Sequence, residues 1–187
     1  LLVKAGLPAG RKFAAVSVRD WPAARQFPQQ AARLCDHLHR TYGLETVFLL
    51  MQPAADRETT EQVRRAMESP SYLLDVPATP SELMAVLGQA ELCVAMRLHT
   101  LIFAARMAVP TVGLVYDPKV DSYLKELDLP SAGEVERFDV DRACQVCDEL
   151  MADYDRILAR LKERSAALSA AARENEALLL ELLRKKS

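Results

Sequence analysis

Two arginines, one histidine and a few carboxylates are the residues through which this chain could do chemistry. Arg19 follows the apolar run Phe13 to Val18, and Arg97 follows Glu91 to Ala95, with Leu98 and His99 directly after it. An arginine's planar fork of donors matches the oxygens of a carboxylate or phosphate. Imidazole exchanges a proton near neutral pH. The two arginines therefore suit a small, multiply charged anion, with the histidine beside it. Asp56, Asp117 and Lys119 also follow apolar runs and join the candidate cleft. Each has a plainer reading: Asp117 as the N-cap before Pro118, Asp56 as the cap of another helix, and Lys119 as a solvated cation.

Those residues need a frame. Short apolar runs at 13–18, 46–51, 72–76, 91–95 and 111–116 read as strands buried on both faces. Between them, helical periodicity predicts helices over 28–42, 56–67, 81–87, 98–108 and 119–127, with Gly43 and Gly88 as C-caps and Pro110 as a stop. Strand and helix in alternation at this spacing predict an α/β, open, doubly wound, mostly parallel sheet. In such a sheet ligands sit outside the carboxyl ends of the strands, where Arg19, Arg97 and His99 fall. Leu98 and His99 open a helix, whose unpaired N–H groups favour an anion. No glycine-rich turn follows the first run, so a dinucleotide fingerprint is absent.

The chain has 187 residues, 50% hydrophobic and 27% charged, which suits one globular core and excludes wholesale disorder. Its 24 basic and 26 acidic side chains, net −2, give no broad footprint for nucleic acid. No apolar run reaches the roughly 18 residues of a membrane span. Residues 1–11 read as a linker remnant, 12–138 as the sheet domain and 139–187 as a helical extension. Leu150, Tyr154, Ile157, Leu161, Leu168, Ala172, Leu179 and Leu182 form an apolar stripe along a long C-terminal helix. That stripe packs back on the domain or seams a homodimer. Cys35 and His39 share a helical face but lack further ligands, and Cys144 and Cys147 have no second pair, so no metal site is expected.

Ser17-Val18-Arg19, Met96-Arg97-Leu98-His99-Thr100-Leu101-Ile102-Phe103-Ala104 and Gly113-Leu114-Val115-Tyr116-Asp117-Pro118-Lys119-Val120 together resemble the polysaccharide pyruvyl transferase family. The likeness runs from about Leu1 to Leu129 and is nearest the bacterial branch that modifies secondary cell-wall polymers for S-layer anchoring. It implies a Rossmann-like, carboxyl-terminal donor half of a GT-B enzyme, whose amino-terminal domain lies outside this sequence. It further implies phosphoenolpyruvate as co-substrate against Arg19, Arg97, Leu98 and His99, with His99 as general acid and no cofactor or metal. The implied acceptor is a sugar of a lipid-linked oligosaccharide, and the implied location is cytoplasmic, peripheral at the inner face of the cell membrane. Two other readings are open: a GT-B donor domain for a nucleotide sugar, and a non-catalytic anion-binding module dimerised by its C-terminal helix. Replacing Arg97 by alanine is expected to weaken donor binding while the fold stays intact.

Overall fold

The computed structural model describes the backbone of residues 1–184 and the side chains of residues 1–175. Six strands form one sheet: β1 (Phe13–Ser17), β2 (Glu45–Leu49), β3 (Ser71–Leu74), β4 (Leu92–Ala95), β5 (Thr111–Val115) and β6 (Ser131–Glu134). Every neighbouring pair is parallel, in the order β3-β2-β1-β4-β5-β6. Successive parallel strands need crossovers, supplied by helices α1 (Phe27–Tyr42), α2 (Pro53–Ala66), α3 (Pro80–Leu87), α4 (Leu98–Arg106) and α5 (Pro118–Leu127). This strand order is that of the Rossmann fold, with its topological switch between β1 and β4.

The central strands are buried on both sides, as their unbroken apolar runs require. Ala14, Val16 and Val18 pack with α1, α2 and a later helix, α6 (Val140–Ala152). Phe13 and Ala15 face the opposite core, built from α3, α4, α5 and the last helix, α7 (Tyr154–Arg184). Local signals fix the helix ends. Gly43 takes a left-handed conformation (φ 65°) that terminates α1. Thr79 and Glu82 form a reciprocal capping box at α3.

The structure adds two features to the expected plan. Ser131-Ala-Gly-Glu134 is a sixth strand, at the sheet edge, with only Ala132 buried. Four residues containing a glycine and a carboxylate carry no apolar run to announce it. The expected long C-terminal helix is α7, but it starts only after a break at Asp153, so that Leu150 of the predicted stripe lies on the separate helix α6. Leu150 on α6 sits in one core, whereas Leu161 on α7 sits in the other, so the chain crosses from one face of the sheet to the other. Leu168 packs against that second core; Leu179 and Leu182 lie outside the residues whose side chains are described. Among the described residues no helix is long and apolar enough to cross a membrane.

Candidate functional site

At the switch point, connections leave the sheet toward opposite faces, and the loops part to open a crevice. Ser17 pairs with Ala95 in the register of β1 and β4. Arg19 and Arg97, each two residues farther on, therefore leave neighbouring strands at the same level. The Met96 N–H donates to the Ser17 carbonyl at 2.8 Å, and the Arg19 N–H points to the Met96 sulfur at 3.4 Å. The two segments are thus knitted together past the last residues of their strands.

Arg97 does not stand free. Its Nε donates to Asp56 Oδ1 at 3.0 Å, and its Nη2 donates to the same oxygen. Asp56 is fully buried and the Arg97 side chain is 12% exposed. The other oxygen, Oδ2, accepts the Gln52 backbone N–H at 2.8 Å. Asp56 is therefore not the N-cap of its helix, which begins at Pro53; it lies within the first turn and reaches back to the capping residue. Since the sheet order is β2-β1-β4, this pair reaches from the α2 terminus after β2, past β1, to the residue after β4.

Arg19 is supported differently. Its guanidinium carbon lies 4.8 Å from the centroid of Tyr116 and 5.8 Å from that of Trp21. The two rings are 5.3 Å apart, and Trp21 Nε1 donates to Glu136 Oε1 at 2.8 Å. Cation–π contact holds the arginine without cancelling its charge. Its Nε is buried and has no hydrogen-bond partner among the described residues. Arg19 and Trp21 line a cavity of about 240 Å³, and Tyr116 lines another of about 410 Å³ with Asp117, Asp121, Glu134 and Glu136. Trp21, Tyr116 and Glu136 carried no assigned role in the sequence, although Trp21 is its single tryptophan.

Arg97 is also the N-cap residue of α4, and no side chain caps that helix. Leu98 and His99 occupy its first turn, Leu98 half-buried and His99 exposed. The N-terminal N–H groups of α4 thus open beside the switch point. Asp117 accepts the Lys119 backbone N–H at 2.9 Å and caps α5, as its plainer reading has it. That bond, together with the Lys119 side chain and the charge of Arg19, holds the Asp117 carboxyl below its ordinary range. Lys119 Nζ lies 3.3 Å from Asp117 and is mostly exposed.

Cys35 and Cys147 are buried in the core beside α1 and α6, where burial pushes the Cys35 thiol up to about 12. His39 faces Glu45 at 3.8 Å, and His37 Nε2 meets Asp148 at 2.7 Å.

Comparison with known proteins agrees with this fold. The chain resembles a glycosyltransferase from Rickettsia africae (TM-score 0.64, 12% identity, 97% of this chain and 50% of that one). It also resembles the UDP-GlcNAc 2-epimerase of Neisseria meningitidis (TM-score 0.61, 7% identity, 92% and 47%). A third likeness is to the glycotransferase of kitacinnamycin (TM-score 0.54, 19% identity, 86% and 40%). At these identities the likeness is one of fold, and the chain spans half or less of the length of each of these structures. No curated protein matches significantly. The family model of polysaccharide pyruvyl transferases matches residues 3–118, which is more than half of the chain and includes Arg19, Asp56, Arg97, His99 and Tyr116. The chain belongs to the polysaccharide pyruvyl transferase family.

Proposed function

We propose that the chain is the donor-binding half of a pyruvyl transferase, which moves pyruvate from phosphoenolpyruvate to a sugar of a cell-wall polysaccharide precursor as a ketal. The observation that carries the reading is the pair of arginines leaving neighbouring strands at the switch point, beside an uncapped helix N-terminus. Phosphoenolpyruvate carries a carboxylate and a phosphate on one small skeleton, so it has two groups for forked donors to hold. Arg19 supplies a charge that no salt bridge holds among the described residues, while Arg97 supplies donors of fixed direction. The first-turn N–H groups of α4 supply a further partial positive charge.

Ketal formation protonates the methylene carbon, and a sugar hydroxyl adds to C2. A second hydroxyl displaces the phosphate and closes the ring. Of the two hydroxyl protons lost, one balances the new methyl group and the other leaves with phosphate. His99, exposed at the α4 terminus, is assigned as the general acid. Arg19 and Arg97 offset charge on the departing phosphate. The acceptor belongs to a lipid-linked oligosaccharide of the S-layer-anchoring type, handled at the cytoplasmic face of the membrane, with a second domain completing the site. Support for that last point is the chain's coverage of 40% to 50% of the three structures described above.

Arg19→Ala tests the reading cleanly, because among the described residues Arg19 is in no salt bridge whose carboxylate would be left buried. Phosphoenolpyruvate affinity in the intact protein is expected to fall by about 2 kcal/mol with melting unchanged. Unchanged affinity in a folded Arg19→Ala protein contradicts the assignment.

A further inference from the structure

We infer that Asp56 is a positioning residue of the reaction: it fixes the Arg97 guanidinium so that its Nη1 edge, and not its Nε edge, meets the anionic donor. This inference rests on the functional reading above. Asp56 Oδ1 takes both Nε and Nη2 of Arg97, which consumes one whole edge of the fork. The carboxylate cannot swing away, because it is fully buried and its other oxygen is held by the Gln52 N–H. Arg97 cannot swing away either, since 12% exposure leaves its side chain only a narrow opening and its backbone is the N-cap of α4. The guanidinium is planar, so fixing one edge fixes the direction of the other.

The same contact sets the charge balance at the crevice. Asp56 offsets Arg97 directly, whereas Arg19 lies against Tyr116 and Trp21 and, among the described residues, feels the Asp117 carboxylate only through space and forms no salt bridge. The two arginines are thus inequivalent: one supplies net charge and the other supplies direction. A fixed, neutralised fork needs no reorganisation when charge develops on phosphate. α2 is joined to the site through Asp56, although no other α2 side chain reaches Arg97 by a hydrogen bond among the described residues.

The test is a thermodynamic cycle in the intact protein, with phosphoenolpyruvate and inorganic phosphate as separate probes. Asp56→Asn keeps the shape and the acceptor oxygen but removes the charge that holds the fork. For both probes, Asp56→Asn is expected to weaken binding on the order of tenfold in the wild-type background. In an Arg97→Gln background it is expected to have an effect under about twofold, since Asp56 would act only through Arg97. Equal losses in the two backgrounds, or no loss in the wild type, overturn the inference. Coupling seen with phosphate in a protein that binds no phosphoenolpyruvate supports Asp56 and overturns the donor reading instead. Should a variant not fold, nitrogen NMR of the wild-type Arg97 decides. Its Nε–H is expected to stay at one shift and protected from exchange as phosphate is added, while the Nη signals move. An Nε–H signal that moves with the anion shows Arg97 leaving Asp56 and overturns the inference.

Discussion

Arg97 and Asp56 are 41 residues apart in sequence and share one buried oxygen. Removing one member of such a pair leaves the other charge buried and unpaired. Arg97→Ala is therefore expected to lower stability by roughly 3–5 kcal/mol, in addition to weakening the donor. The neutral pair Arg97→Gln/Asp56→Asn should recover most of that loss, which urea unfolding of the three proteins would show. A fully stable Arg97→Ala would mean that the pair does not hold the loop. This corrects the expectation that the alanine variant leaves the fold intact. His99 has no such structural duty: it is exposed at the start of α4. His99→Gln is expected to depress turnover by roughly 10²-fold with donor affinity less affected. Equal losses in binding and turnover would make it a phosphate ligand instead. At this scale the arginines and His99 were legible in the sequence because each directly follows an apolar run, where the sheet delivers ligand-binding residues. The carboxylate behind Arg97 and the rings beneath Arg19 were not, because a contact between distant segments leaves no periodicity or local motif.

Elements were more legible than their junctions. The five central and flanking apolar runs became β1 to β5, and Thr79, Gly43 and Asp117 mark helix ends where capping chemistry puts them. The edge strand β6 escaped notice because an edge needs no apolar face, and the break at Asp153 because helix-forming residues continue on both sides of it. Two junctions give tests. Gly113 lies in β5 against α5, where a Cβ would overlap the Leu124 side chain. Gly113→Ala should cost about 1–3 kcal/mol by overpacking, read as a lower urea midpoint; a neutral effect would show that Leu124 repacks freely. Between α1 and α6, Asp148 accepts from Tyr42 at 2.7 Å and meets His37 at 2.7 Å. Burial pushes the Asp148 carboxyl up, but the bonds from Tyr42 and His37 outweigh it and hold the group below its ordinary range. A depressed carboxyl stabilises the fold above its unfolded value, and that contribution is lost as pH falls through the folded one. The gap in urea midpoint between wild type and Asp148→Asn should therefore be present near neutral pH and shrink as the pH falls below the ordinary carboxylate range. A gap independent of pH would contradict the assignment.

The whole molecule is a parallel six-stranded sheet whose loops converge at one end, with a family match over residues 3–118 and half or less of the length of the structural neighbours described. Under the proposed function, the wall it presents holds an anion, and a second domain orients the acceptor hydroxyl at near-attack distance. This chain by itself is accordingly expected to bind the donor without releasing phosphate from it. Its charge layout also separates the candidate donors. A nucleotide sugar brings a base, a ribose and a diphosphate, for which the switch point offers no glycine-rich approach after β1 or β4. Calorimetric titration of the chain with phosphoenolpyruvate, beside a parallel titration with a UDP-sugar, decides between the two donors. Saturable heat is expected with phosphoenolpyruvate, greatly reduced in Arg19→Ala, and none with the UDP-sugar. Saturable binding of the UDP-sugar with no heat from phosphoenolpyruvate would contradict the proposed donor.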